Sequence, residues 1–224
     1  MPAHVWQKAI SRKFSAARCA CALARQMAEW RPDGLLRRLE HGIPPRKRQA
    51  LETMMERHVH CPATSSMGRL FDAVAFWCGF DGAAGCEGHA AMVLESWAAS
   101  LPEDGPEGDS YEWVMHEEGG LLELDWRPVL KALNDDLLAG VSRCRIARKF
   151  HESLVNLVFD VAERFSQDRL VLGGGCFQNA FLLEGLMGMA QSRACVLSLP
   201  QRVPCNDGGI SLGQAAAAVR QWKG

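Results

Sequence analysis

Apolar residues recur at helical spacing over 15–40, with a break at Arg31-Pro-Asp-Gly34, and again over 45–57, so this part of the chain predicts helices. Residues 58–64 contain Pro62 and predict a loop, after which Ser66 is placed to cap a helix reaching Gly79. Residues 83–88 lead into a further helix ending near Ala99, which makes the first hundred residues mainly helical. Leu101-Pro-Glu-Asp-Gly-Pro-Glu-Gly-Asp109 interrupts the periodicity and reads as a connector. Trp113-Val-Met-His116 and Leu121-Leu-Glu-Leu-Asp125, separated by Glu117-Glu-Gly-Gly120, have the pattern of a hairpin with a glycine turn. Trp126-Arg-Pro opens another helix, and a long helix is expected over 142–166.

The pattern then changes. Residues 169–172 read as the end of a buried strand, 176–190 as a helix, 195–199 as a second short strand, and 210–221 as a last helix. A strand, helix, strand, loop, helix order predicts parallel strands whose loops open at one carboxyl edge. Two glycine loops land on that edge: Gly173-Gly-Gly175 and Pro200-Gln-Arg-Val-Pro-Cys-Asn-Asp-Gly-Gly209. Glycines at a helix start let backbone N–H groups approach an anion closely, so the first loop is either a phosphate cradle or a tight strand-to-helix turn. It departs from the dinucleotide fingerprint and from the Walker loop, which ends in Gly-Lys-Ser/Thr. Asp207 precedes the second glycine pair, where it caps the last helix or holds a metal or a polarised ligand. The chain has no internal repeat.

Composition narrows the classes. At 224 residues the chain can bury one good core or two small lobes, and its 48% hydrophobic and 23% charged residues are ordinary for a globular protein. A formal charge of -1 offers no electrostatic reason to expect nucleic acid or an anionic membrane as partner. Nine cysteines, irregularly spaced and without a Cys-x-x-Cys pair, exclude a zinc ribbon and read as reduced thiols of a cytoplasmic protein. No apolar run is long enough for a bilayer, and no secretion signal is expected. Lys8, Arg12, Lys13, Arg18 and Arg25 read as the solvated face of an amphipathic helix.

Two further motifs, Thr64-Ser-Ser-Met-Gly-Arg-Leu-Phe-Asp-Ala73 and Glu87-Gly-His-Ala-Ala-Met92, join Gly173-Gly-Gly-Cys-Phe-Gln-Asn179 and Val203-Pro-Cys-Asn-Asp-Gly-Gly-Ile-Ser-Leu-Gly-Gln214. In this order they resemble the HypF carbamoyltransferases of [NiFe]-hydrogenase maturation, from about Arg31 to Gln221, whereas residues 1–30 match poorly. The resemblance implies an α/β fold, the C-terminal lobe of an actin-like and sugar-kinase-like ATPase domain with a helical N-terminal part. It implies ATP and carbamoyl adenylate as ligands, a divalent metal of the zinc or iron type, and a HypE-like acceptor whose C-terminal cysteine receives the carbamoyl group. It places Asp72, Glu87 and Gly88 at the nucleotide ribose, Gly174, Gly175 and Asn179 at the adenylate, and Asp207 at the metal. There, Lewis-acid polarisation of the carbamoyl carbonyl is expected.

Departures from that family shape the functional expectation. Its His-x-x-x-His metal pair and its Asp-Gly-Thr-Gly phosphate loop are absent from this sequence. His58 and His60 are separated by one residue and are expected to be loop histidines, while His151 is expected to pack within a helix. Leu172 stands where the family has serine and His89 where it has glutamine. The chain is therefore expected to be the C-terminal part of a transferase domain, either working with a separately encoded N-terminal HypF portion or derived by gene truncation. The alternatives are a non-catalytic module that binds nucleotide or HypE, and an ATPase or kinase of the same superfold. Apolar surface left uncovered is expected to seek a partner or cause self-association.

Overall fold

A computed structural model describes residues 6–7, 15–30, 32–81, 85–101 and 109–222, and the chain divides into two compact units, Met1–Ser153 and Leu154–Gly224. Lys8, Arg12, Lys13, the start of the 83–88 segment and residues 102–108 of the expected connector lie outside the described residues. The fold is α/β and rich in helix.

The first unit is built on α1 (Ser15–Gln26), α2 (Asp33–Gly42), α3 (Pro45–Glu56), α4 (Met67–Trp77) and α5 (His89–Ala99). α4 is its centre: every residue from 70 to 77 is buried, because the sequence is apolar on all faces of the helix except at Asp72. α1 packs most extensively against it, and the small buried residues Ala20, Cys21 and Ala24 let the two backbones approach. Phe71 meets Phe150 edge to face at 5.1 Å, which ties α4 to α7 (Arg143–Arg164). The start of α2 is capped from a distance: Asn134 on α6 (Arg127–Leu138) accepts from Gly34 N at 2.8 Å and Leu35 N at 3.2 Å.

Local chemistry explains the outcomes in this unit. The hairpin forms with strands β1 (Val114–Glu118) and β2 (Leu121–Asp125), tighter than its sequence suggests, because Gly119 and Gly120 both accept positive φ in a two-residue turn. Ser66 sits at the α4 N-cap with extended backbone, yet its hydroxyl makes no capping bond. Instead its N–H donates to Thr64 Oγ1 at 3.2 Å. The loop expected over 58–64 contains a two-residue strand, Ala63–Thr64, paired antiparallel with Trp6–Gln7, a register no local pattern could announce. Buried Asp125 closes the hairpin onto α6 by accepting from Arg127 N at 2.9 Å and from its guanidinium at 2.7–3.0 Å.

The second unit holds the parallel pair β3 (Arg169–Val171) and β4 (Val196–Ser198), joined through α8 (Ala180–Ser192) and followed by α9 (Ile210–Trp222). The expected helix over 176–190 is split. A 3₁₀ turn, Gly175–Gln178, comes first, and extended Asn179 then restarts the chain as α8. α9 buries none of its residues; Ile210, Leu212 and Val219 are more than half exposed and Trp222 is 93% exposed. Val171, at 82%, leaves the strand pair similarly open. The uncovered apolar surface expected from the sequence is therefore present. Among the described residues no helix is long and apolar enough to cross a membrane.

Candidate functional site

In the first unit the expected ribose ligand Asp72 lies on α4, 3% exposed, with Arg69 Nη1 2.7 Å from its Oδ2. The i,i+3 spacing brings both charges to one face of the helix, and burial of both side chains strengthens their attraction. Its burial excludes a solvated surface aspartate at this position. A ribose hydroxyl approaching Oδ2 would share or replace the Arg69 contact. Arg69 was not singled out from the sequence, although its spacing from Asp72 was the available signal.

Glu87 and Gly88 form the turn that starts α5. Gly88 holds φ 77°, a left-handed N-cap conformation, and an added Cβ there would meet nothing within 4 Å. Glycine is required by the backbone, and the space in front of it is open. Glu87 is exposed. His89 packs edge to face on Phe80 at 5.3 Å, and its Nδ1 accepts from Gly85 N at 3.1 Å, so the residue that departs from the family pattern stabilises the turn.

In the second unit the two glycine loops meet. Gly174 N donates to Cys205 O at 2.6 Å, joining the 173–175 turn to the 203–209 loop at the carboxyl ends of β3 and β4. Gly174 adopts φ 114°, ψ 159°, a region open essentially to glycine alone. Its N–H is thus engaged within the protein, and its contribution is the shape of the turn. Gly173 and Gly174 face open space, and Gly175 heads the 3₁₀ turn, where the first N–H groups have no partner inside the turn. Asn179 is buried and caps α8, its Oδ1 accepting from Leu182 N at 2.8 Å. Its carbonyl therefore has a structural partner in addition to any ligand.

Asp207 is exposed at the start of the 3₁₀ turn Asp207–Gly209. The capping expected of it belongs to its neighbour: Asn206 Oδ1 accepts from Gly208 N at 3.0 Å. Gly209 is pressed against the preceding proline, since a Cβ would lie 2.6 Å from Pro204 O. This contact holds the loop closed and leaves the Asp207 carboxylate outside it. Among the described residues no group of three or more His, Cys, Asp or Glu side chains could hold a metal ion. Asp207 is one oxygen donor, which does not by itself make a metal centre.

The histidines fall where expected. His58 and His60 are exposed in the turn after α3 with φ 54° and 53°. His151 is fully buried, its Nδ1 donating to Ala147 O at 2.7 Å and its ring lying edge to face on Phe71 at 5.4 Å. Burial pushes its pKa down to about 4, so it is neutral near pH 7. The cysteines are free thiols, and burial pushes Cys21 and Cys78 up to about 12.

The sequence matches the family described as "Carbamoyltransferase, Kae1-like Domain, second subdomain" over residues 8–214. It is 37% identical over 159 residues to carbamoyltransferase HypF of Synechocystis, covering 71% of this chain and 20% of that protein. It is 36% identical over 181 residues to a HypF homolog of Cupriavidus necator, covering 77% and 45%. The chain thus spans less than half the length of these relatives. A crystal structure of full-length HypF in its phosphate- and nucleotide-bound form superposes with TM-score 0.81 at 28% identity, over 98% of this chain and 28% of that one. The fold is shared also with a crystal structure of T.kodakarensis HypF, TM-score 0.70 at 20% identity, over 94% of this chain and 28% of that one.

Proposed function

Because the chain belongs to the HypF carbamoyltransferase family, as the second subdomain of its Kae1-like domain, we propose that it is the nucleotide-side half of a carbamoyl-transfer centre. In this reading it forms the C-terminal lobe of an actin-like and sugar-kinase-like fold. The ligand is ATP or a carbamoyl adenylate, and the acceptor is the C-terminal cysteine of a HypE-like protein in [NiFe]-hydrogenase maturation. The observation that carries the reading is the Gly174–Cys205 bond, which makes one continuous backbone rim from the two glycine loops. Open space in front of Gly173 and Gly174 fits an approaching phosphoryl or acyl-phosphate group.

Each residue then has a defined task. Gly174 sets the rim, Gly175 at the head of the 3₁₀ turn offers its N–H to the adenylate, and Asn179 fixes the turn while presenting its side chain to the ligand. Glu87 and Gly88 offer a carboxylate and an unobstructed backbone to the ribose, and Asp72 serves there through its shared contact with Arg69. A divalent metal belongs to this chemistry in the resemblance, but Asp207 lacks companion ligands among the described residues, so its role here is to contribute one oxygen to a site completed by another polypeptide segment. That segment is the N-terminal HypF portion, which would cover the bare α9 face. The compartment proposed is the cytoplasm, in keeping with nine free thiols.

The test is ATP hydrolysis dependent on carbamoyl phosphate. The purified chain is expected to show little turnover alone and to gain it when an N-terminal HypF portion bearing the histidine pair is supplied. Asp207→Ala is expected to abolish the restored turnover while leaving the unfolding midpoint of the chain unchanged. Restored turnover that survives Asp207→Ala removes the metal role. A second reading, a binding module without turnover, is favoured by the Arg69–Asp72 ion pair, which occupies the expected ribose ligand. It prevails if no N-terminal portion restores hydrolysis and the chain still binds a HypE-like protein.

A further inference from the structure

The hairpin of β1 and β2 is a sheet of two strands, and among the described residues no third strand joins it. Asp125 anchors its base to α6, but its tip is open: Glu117, Glu118 and Leu121 are exposed, Leu121 at 69%. In a two-residue hairpin the residues flanking the turn exchange ladder bonds, here Glu118 and Leu121. The exchange recurs at every second pair, His116 with Glu123 and Val114 with Asp125. On β2, Leu122 and Leu124 therefore turn their N–H and C=O groups to the outer edge. Both residues are only partly buried. Such an edge is a template for another strand, and a hairpin of two strands is marginally stable by itself.

Charge decides what the edge accepts. Residues 70–126 hold thirteen Asp and Glu and no Lys or Arg, in a chain whose formal charge is only -1. Asp72, Asp109 and Asp125 are answered by cations from outside this stretch: Arg69, the pair Arg145 and Lys149, and Arg127. Glu112 and Glu118, beside and on the hairpin, stand exposed. A second copy of the hairpin would set carboxylate against carboxylate, so the edge repels its own kind. We propose that the outer edge of β2 is a docking site for an extended, cation-bearing segment of a partner protein, which adds as a third strand. Main-chain bonds to Leu122 and Leu124 supply the affinity. Lysine or arginine side chains facing the hairpin carboxylates supply selectivity and speed of encounter.

A fluorescently labelled short peptide of alternating Lys and Thr, titrated into the full 224-residue chain and read by anisotropy, tests the site. It is expected to bind at low ionic strength and to weaken as sodium chloride is added, whereas a Glu/Thr peptide of the same length is expected not to bind. N-methylation of the Lys/Thr peptide at alternate residues keeps its charge and removes its strand donors, and is expected to weaken binding about tenfold or more. Glu118→Lys is expected to weaken it about fivefold, through charge alone. Leu122→Pro removes one outward N–H without touching a ladder bond and is expected to act like the N-methylated peptide. Should Leu122→Pro fail to fold, the N-methylated peptide decides alone. Absence of binding overturns the proposal, as do equal binding of the acidic peptide, undiminished binding after N-methylation, and indifference to Glu118→Lys.

Discussion

The α4 region of the first unit and the glycine rim of the second carry motifs of equal clarity, yet they are built in opposite ways. Around Asp72 the chemistry sits in side chains, packed on every face of a helix and committed to Arg69. Around Gly174 it sits in the backbone, exposed and bent into a conformation reserved for glycine. A buried motif serves stability and function through the same atoms. An open backbone motif can lose its ligand geometry while most of the unit remains folded.

The sharpest test of that contrast is Asp72→Ala. It leaves the largely buried Arg69 guanidinium unanswered, and the cost expected is about 3–5 kcal/mol, read as a fall in the urea midpoint. Asp72→Asn keeps the shape and loses the charge, so it should lie between the two. If Asp72→Ala is neutral, α4 is not the stabilising centre described here.

Acid probes the same region through His151. Its folded pKa is lowered to about 4, whereas the unfolded ring titrates near 6.5, so the unfolded state takes up the proton first as pH falls. The stability associated with neutral His151 is fully present above pH 6.5 and is lost between there and pH 4, at about 1.4 kcal/mol per pH unit. Asp109 and Asp125, whose carboxyls hydrogen bonds from Arg145 and Lys149 and from Arg127 hold low against the opposing effect of burial, add losses at still lower pH. Denaturant titrations at several pH values should show the slope, and His151→Phe should remove its part above pH 4.

On the other side of the comparison, Gly174→Ala forces an L side chain into φ 114° and is expected to cost about 1–3 kcal/mol. Its diagnostic effect is a loss of ATP affinity larger than its shift in midpoint. Asn179→Ala, which removes the α8 cap, should cost about 1 kcal/mol. If both variants bind ATP as the parent does, the rim is structural only.

Much of this was legible in the chain. Periodicity located α7, the hairpin, the parallel pair and α9, because each satisfies its backbone locally or with the next strand. The resemblance found the motif residues. Local pattern failed where a partner arrives from elsewhere in sequence. It offered capping to Ser66 and, as one of two roles, to Asp207, where Thr64 shapes the first turn and Asn206 closes the second. It also ran one helix through Asn179, whose side chain ends the 3₁₀ turn and begins α8.

The sequence by itself determined the order of elements, the glycine positions and the family, since these depend on residue type and spacing along the chain. Only the tertiary structure decided that Asp72 is buried against Arg69, that Cys205 O fixes Gly174, and that Asn134 caps the start of α2 from a hundred residues away. Burial and long-range pairing set the effective dielectric and the hydrogen-bond partners of each group. Both are properties of what surrounds a residue after folding, which its neighbours in sequence do not specify.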